Sequence, residues 1–147
     1  LLTQLKSTLT KLENSFPDYT DETGYEISGL IINLGENDKD EKVFANNLPL
    51  FIKDLRHEFK KPNLPVVLVG SGQGGHAKPD FPGIIKAQQT TAKLSQFKGT
   101  VVFTETRDFW PDPKTSPGKP IDSWYGNAES FYKIGIAIGK NMLSILE

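Results

Sequence analysis

Three short apolar runs, ISGLIINL (27–34), VVLVG (66–70) and TVVFT (100–104), are separated by stretches of helical length, and this alternation constrains the fold more than any other feature. Runs this rich in isoleucine and valine suit strands buried on both faces, the environment of a parallel sheet. Helical rhythm predicts helices over 1–16, 40–60, 83–96 and 128–146. In the second of these Val43, Phe44, Leu48, Phe51, Ile52, Leu55 and Phe59 form one stripe. Parallel strands need crossovers, and right-handed crossovers place helices on both faces. The expected fold class is therefore α/β, a single domain over 1–147, with strands 27–34, 66–70 and 100–104 adjacent in that order. No internal repeat or low-complexity tract interrupts it.

Composition excludes several function classes. Formal net charge is −1, and of 17 basic residues only Arg56 and Arg107 are arginine. Neither a nucleic acid nor an anionic membrane is the expected partner of such a surface. There is no cysteine, hence no disulfide framework or thiolate metal site, and neither metal nor cofactor is expected. No run of apolar residues is long enough to span a bilayer. The compartment stays open, with an extracellular or periplasmic one favoured. The chain starts at Leu1 in helical rhythm rather than with methionine, which does not read as a natural beginning.

Ligands of open α/β sheets collect where the strands end, so the three following loops hold the candidate site. The first, Gly35-Glu36-Asn37-Asp38, reads as a turn capped by Asp38 or Asp40, or as an oxyanion site built from the Gly35 N–H and Asn37 amide. The second, Gly70-Ser71-Gly72-Gln73-Gly74-Gly75-His76, contains a G-x-G-x-x-G string. A dinucleotide site needs a helix starting at that loop, and Lys78-Pro79-Asp80-Phe81-Pro82 intervenes. It is no G-x-S-x-G elbow either. Ser71, Gln73 and His76 are binding candidates, while His57 reads as surface. The third loop carries Glu105, Arg107, Asp108, Trp110, Asp122, Ser123, Trp124, Tyr125 and Asn127. It reads either as an anchored loop or as a carbohydrate site. In the first case Trp110 and Trp124 fill a satellite core, Arg107 pairs a carboxylate and Asn127 caps the last helix. In the second, Trp124 and Tyr125 stack on sugar rings and Arg107 holds hydroxyls.

Taken in order, YEISGLIINLGEND (25–38), NLPLFIKDLRHEFKKPNLPVVLVGS (47–71), KAQQ (86–89), TETRDFWPDPKTSP (104–117) and WYGNAESFYKIGIAIGKNML (124–143) resemble the carboxy-terminal two-thirds of an SGNH-type hydrolase. The resemblance is to its sialate O-acetylesterase and carbohydrate acetylesterase branch, through the last two strings more than the short GEND. It implies a flavodoxin-like three-layer sandwich that removes acetyl groups from sugars with a serine nucleophile. Gly35 and Asn37 then stand at the oxyanion positions and Asp122 in the Asp/His pair.

The departures carry as much information. The family's nucleophilic serine lies upstream of everything present, and its histidine position is occupied by Ser123, whose hydroxyl cannot act as the base. Ile32 and Leu34 replace the family's tryptophan and glutamine before Gly35. The sequence therefore implies a degenerate esterase-like domain that binds acetylated carbohydrate or self-assembles, or alternatively the later part of an active esterase whose serine is on another segment. With the amino-terminal strand missing, run 27–34 becomes an open edge, a template for that segment or for a second copy in a homo-oligomer.

Overall fold

A computed structural model describes residues 2–20, 22–38, 40–119 and 123–146. Asp122, expected in the Asp/His pair, lies outside the described residues. In chain order the elements are α1 (Leu2–Leu9), β1 (Leu30–Ile32), α2 (Glu41–Glu58), β2 (Val66–Val69), α3 (Pro82–Ala92), β3 (Val101–Thr104) and α4 (Ala128–Leu146). The strands form a parallel sheet in the order β1-β2-β3, as the apolar runs predict. Its register places Ile31 opposite Val67 and Val67 opposite Val102. Central β2 is buried at every position, which explains four consecutive aliphatic residues.

Helices α2 and α3 pack on one face. Phe44, Leu48, Ile52 and Leu55 of α2 meet Ile84 and Ala87 of α3 over Ile32, Val66, Leu68 and Val101. Helix α4 covers the other face beside β2 and β3, with Ile134 against Val69 and Trp124. This is the three-layer α/β arrangement expected. Among the described residues no helix is long and apolar enough to cross a membrane.

Three element boundaries differ from expectation. The first helix ends at Leu9, followed by a short 3-10 turn at Leu12–Asn14. Here Thr8 Oγ1 donates to Gln4 O and Thr10 Oγ1 to Ser7 O, local bonds that compete with helix continuation. Pairing in the first strand is confined to 30–32 rather than 27–34. On its near side, the Ile27 carbonyl is taken by Lys61 Nζ at 2.9 Å and Gly29 lies against the Met142 side chain. Beyond it, the Leu34 carbonyl accepts from Gln88 Nε2. Finally, α3 stops at Ala92, and a separate 3-10 turn spans Ser95–Phe97.

Strand β1 is one edge of the sheet, and β3 is the other. Leu30 N–H donates to Pro65 O at 2.8 Å, so ladder alternation turns the N–H and C=O of Ile31 away from β2. The Ile31 side chain is 59% exposed, and Leu34 is exposed beside it. A cavity of about 460 Å³ runs along the β1 edge, between Leu5 of α1, Phe51 of α2 and Phe59 at the end of α2.

Candidate functional site

The loops leaving β1, β2 and β3 meet at one end of the sheet, the first two tied together by Gln88 of α3. Its Nε2 donates to Leu34 O at 2.9 Å and to Val69 O at 3.0 Å, while its Oε1 accepts the Ser71 N–H at 3.2 Å. A buried carboxamide with both ends bonded fixes the exits of β1 and β2 relative to one another. Sequence reasoning met Gln88 only inside the string KAQQ. Its contacts lie 17 and 54 residues away, beyond any local signal.

In the first loop, Gly35 has φ +127° and is buried; a Cβ there would collide with Ile84 and press on Phe44 and Ser71 Oγ. Only glycine fits this turn. Asp38 N–H closes it on Gly35 O at 3.0 Å. Asn37 is exposed, and its carboxamide has no partner among the described residues. Of the two cap candidates Asp40 serves, its Oδ1 accepting from Lys42 N and Val43 N at 3.0 Å.

The glycines of the second loop are used for close packing rather than for cradling phosphate. A Cβ at Gly72 would overlap Thr106, one at Gly74 would overlap the Lys78 carbonyl, and one at Gly75 would lie 3.1 Å from Trp110. Thr106 Oγ1 also donates to Gly70 O at 2.7 Å, locking the second loop to the third. Ser71 is fully buried, and its Oγ lies 3.4 Å from Gln88 Nε2. Gln73 is half-buried and His76 exposed. His76 Nε2 lies 2.6 Å from Asp108 Oδ1, a contact that uses one of the two ring nitrogens. An imidazole oriented by a carboxylate can accept a proton at its other nitrogen. Nothing in the sequence pairs these two residues; loop convergence brings them together.

In the third loop, Arg107 grips Glu105 in a fork, Nε to Oε1 at 2.8 Å and Nη2 to Oε2 at 2.5 Å. The guanidinium bond holds the Glu105 carboxyl below its ordinary pKa, and Glu105 raises Arg107 in turn. Arg107 is thus occupied by a carboxylate, as the anchored-loop reading has it. Trp124 is 5% exposed and packs on Val69 and Ile134. Its stacking role therefore needs correction: the ring faces the core and offers no face to a sugar. Trp110 lies edge-on to both Trp124 and Tyr125, at 5.2 and 5.4 Å between centroids, and is half-buried like Tyr125. Trp124, Tyr125 and Gly126 all adopt left-handed φ, at 54°, 51° and 61°. For the two aromatic residues this conformation is strained, and such strain concentrates at functional loops. Asn127 Oδ1 accepts from Ser130 N at 3.0 Å, the predicted cap of α4. Ser123 is exposed.

Among the described residues no serine hydroxyl is hydrogen-bonded to either histidine. The site thus combines a turn with a buried Gly35 and an exposed Asn37, a carboxylate-oriented imidazole and a rim of aromatic rings. No curated protein and no solved structure matches the chain. A family model does match over residues 5–109, which covers α1 to the start of the third loop and stops short of string 124–143. The strands and the first two loops, rather than the last helix, carry that match, and the chain belongs to the carbohydrate esterase family of sialic acid-specific acetylesterases.

Proposed function

We propose that this chain is a carbohydrate-esterase-type domain that binds acetylated carbohydrate at the strand-end loops and does not hydrolyse esters on its own. The observation that carries the proposal is the fate of Ser71, the serine closest to Gly35. It is fully buried, and its N–H is engaged by Gln88 rather than its hydroxyl by a histidine. A serine without a base to take its proton is a weak nucleophile. Binding in this reading uses Asn37, Gln73, His76 and the rims of Trp110 and Tyr125. The test is a pair of measurements on the purified chain. Calorimetric titration with an O-acetylated sialic acid is expected to give saturable binding. Hydrolysis of the same sugar and of p-nitrophenyl acetate is expected to match an inactive control. Turnover together with stoichiometric labelling of the chain by a serine-directed phosphonate overturns the reading.

A second reading has one specific observation in its favour. The outward-facing backbone of Ile31 and the apolar cavity along β1 suit an added strand, from another segment or a second copy of the chain. A strand added there ends beside the Gly35 turn. It could bring a serine nucleophile to the His76–Asp108 pair.

A further inference from the structure

At the opposite end of the sheet, where α2 ends and β2 and β3 begin, lies a second cavity of about 620 Å³, lined by Lys53, Arg56, His57, Lys60, Gln96 and Phe97 with Pro62. We propose that it is a binding site for a tetrahedral oxyanion, a phosphate or sulfate group, separate from the strand-end loops. Lys53, Arg56, His57 and Lys60 recur at helical spacing along one face of α2 and its exit, and no carboxylate lines the space.

Two independent features distinguish this cluster from an ordinary basic helix end. Arg56 is 6% exposed and forms no ion pair with a described residue. Its Nε and Nη2 donate to Leu64 O at 3.1 and 2.8 Å, Nη2 also reaches Thr100 Oγ1 at 2.8 Å, and the guanidinium carbon lies 5.2 Å from the centre of the Phe97 ring. Nη1 makes none of these bonds. Burial pushes the guanidinium below its ordinary pKa, and no nearby anion offsets it. A buried cation without a counter-ion is unfavourable until an anion supplies one.

The other feature is backbone strain. Lys61 N–H bonds Arg56 O and Lys60 N–H bonds His57 O, the Schellman closure of a helix. Its left-handed position normally takes glycine, yet Lys60 stands there at φ +53°. The strained position therefore carries a cation at the mouth of the cavity. Donors from α2, its exit loop and the facing 3-10 turn outnumber what a planar carboxylate accepts, which favours a tetrahedral group.

The test uses the full chain with inorganic phosphate and inorganic sulfate as probes, ionic strength being held constant with sodium chloride. Either probe is expected to raise Tm in a saturable way that chloride does not reproduce. Lys53→Gln and Lys60→Gly are each expected to weaken phosphate binding by about tenfold, the loss of one charge-assisted contact. Lys60→Gly separates ligand from fold, because relieving the left-handed lysine raises Tm in the anion-free protein while lowering affinity. N-acetylneuraminate, a carboxylate sugar, is expected to bind this site less tightly than phosphate. A Tm indifferent to both oxyanions overturns the proposal. So does phosphate binding of wild-type strength in both variants, or tighter binding of the carboxylate sugar that Lys53→Gln abolishes.

Discussion

The Gln88 carboxamide accepts the Ser71 backbone N–H at 3.2 Å while its nitrogen donates to the carbonyls of Leu34, just past β1, and of Val69, at the end of β2. One side chain on α3 therefore holds the turn that presents Gly35 and Asn37 against the loop that presents His76. Replacing it should loosen the site and the fold together. Gln88→Leu keeps the volume but leaves buried carbonyls and an N–H unpaired, so it is expected to cost about 1–3 kcal/mol. Gln88→Glu should be at least as costly, since it sets carboxylate oxygens against carbonyl oxygens. Urea denaturation measures both, and a Gln88→Leu midpoint equal to wild type would show that the amide merely fills space.

Acid sensitivity should report the Glu105–Arg107 fork. The folded pKa of Glu105 is depressed below its ordinary value of 4.5, chiefly by the Arg107 hydrogen bond. A depressed carboxylate contributes stability that is present above the unfolded pKa and is lost as pH falls through the folded one. Glu26, Glu58 and Glu129 are lowered in the same direction by lysine partners, Glu26 and Glu129 from the exposed surface and Glu58 from a half-buried position. The difference between wild type and Glu105→Gln isolates the buried contribution. That difference is expected to be constant near neutral pH and to shrink below about pH 4.5. Denaturation midpoints between pH 7 and pH 3 check it, and a gap that widens on acidification contradicts the assignment.

What the sequence disclosed depended on how far each signal reaches along the chain. The apolar runs give β1, β2 and β3 in their correct order and direction, because a strand buried on both faces must be apolar throughout. The cap at Asn127 is equally visible, being satisfied within three residues, whereas the sequence leaves Asp38 and Asp40 as alternatives and the structure selects Asp40. Arg56 sits on α2 beside His57, which reads as surface and is exposed; nothing local reveals that the Arg56 guanidinium reaches a carbonyl 44 residues away. His76 and Asp108 are separated by 32 residues, and each alone resembles a solvated loop residue. Trp124 was ambiguous for a different reason: an aromatic residue in a polar loop suits a ring platform and a core plug equally. Its left-handed backbone and Ile134 beneath it decide for the plug.

The open edge makes a prediction about Ile31 alone. Its N–H points away from β2, so Ile31→Pro removes no bond of the existing ladder. The variant is expected to fold with near-native stability. If a strand from a second copy covers this edge, light scattering should show assembly in wild type and a monomer in Ile31→Pro. If the edge is bare in solution, both proteins will be monomeric and the Ile31 amide will exchange with solvent without protection. That result would remove a second copy as the source of the added strand and leave only another segment.

The aromatic cluster separates fold from ligand binding most cleanly. Trp124 fills the space between Val69, Ile134 and Trp110, so Trp124→Ala is expected to cost about 3–5 kcal/mol through cavity formation. Tyr125 is half-buried at the rim and has a left-handed backbone. Asparagine tolerates that conformation better than most residues, so Tyr125→Asn removes the ring without breaking the turn. Tyr125→Asn should therefore keep a near-native thermal midpoint and weaken binding of the acetylated sugar, whereas Trp124→Ala should lose stability first. Thermal denaturation and calorimetric titration of the two variants side by side decide the matter. A stable Trp124→Ala protein that has lost sugar binding would restore Trp124 as the stacking platform and leave Tyr125 a turn residue.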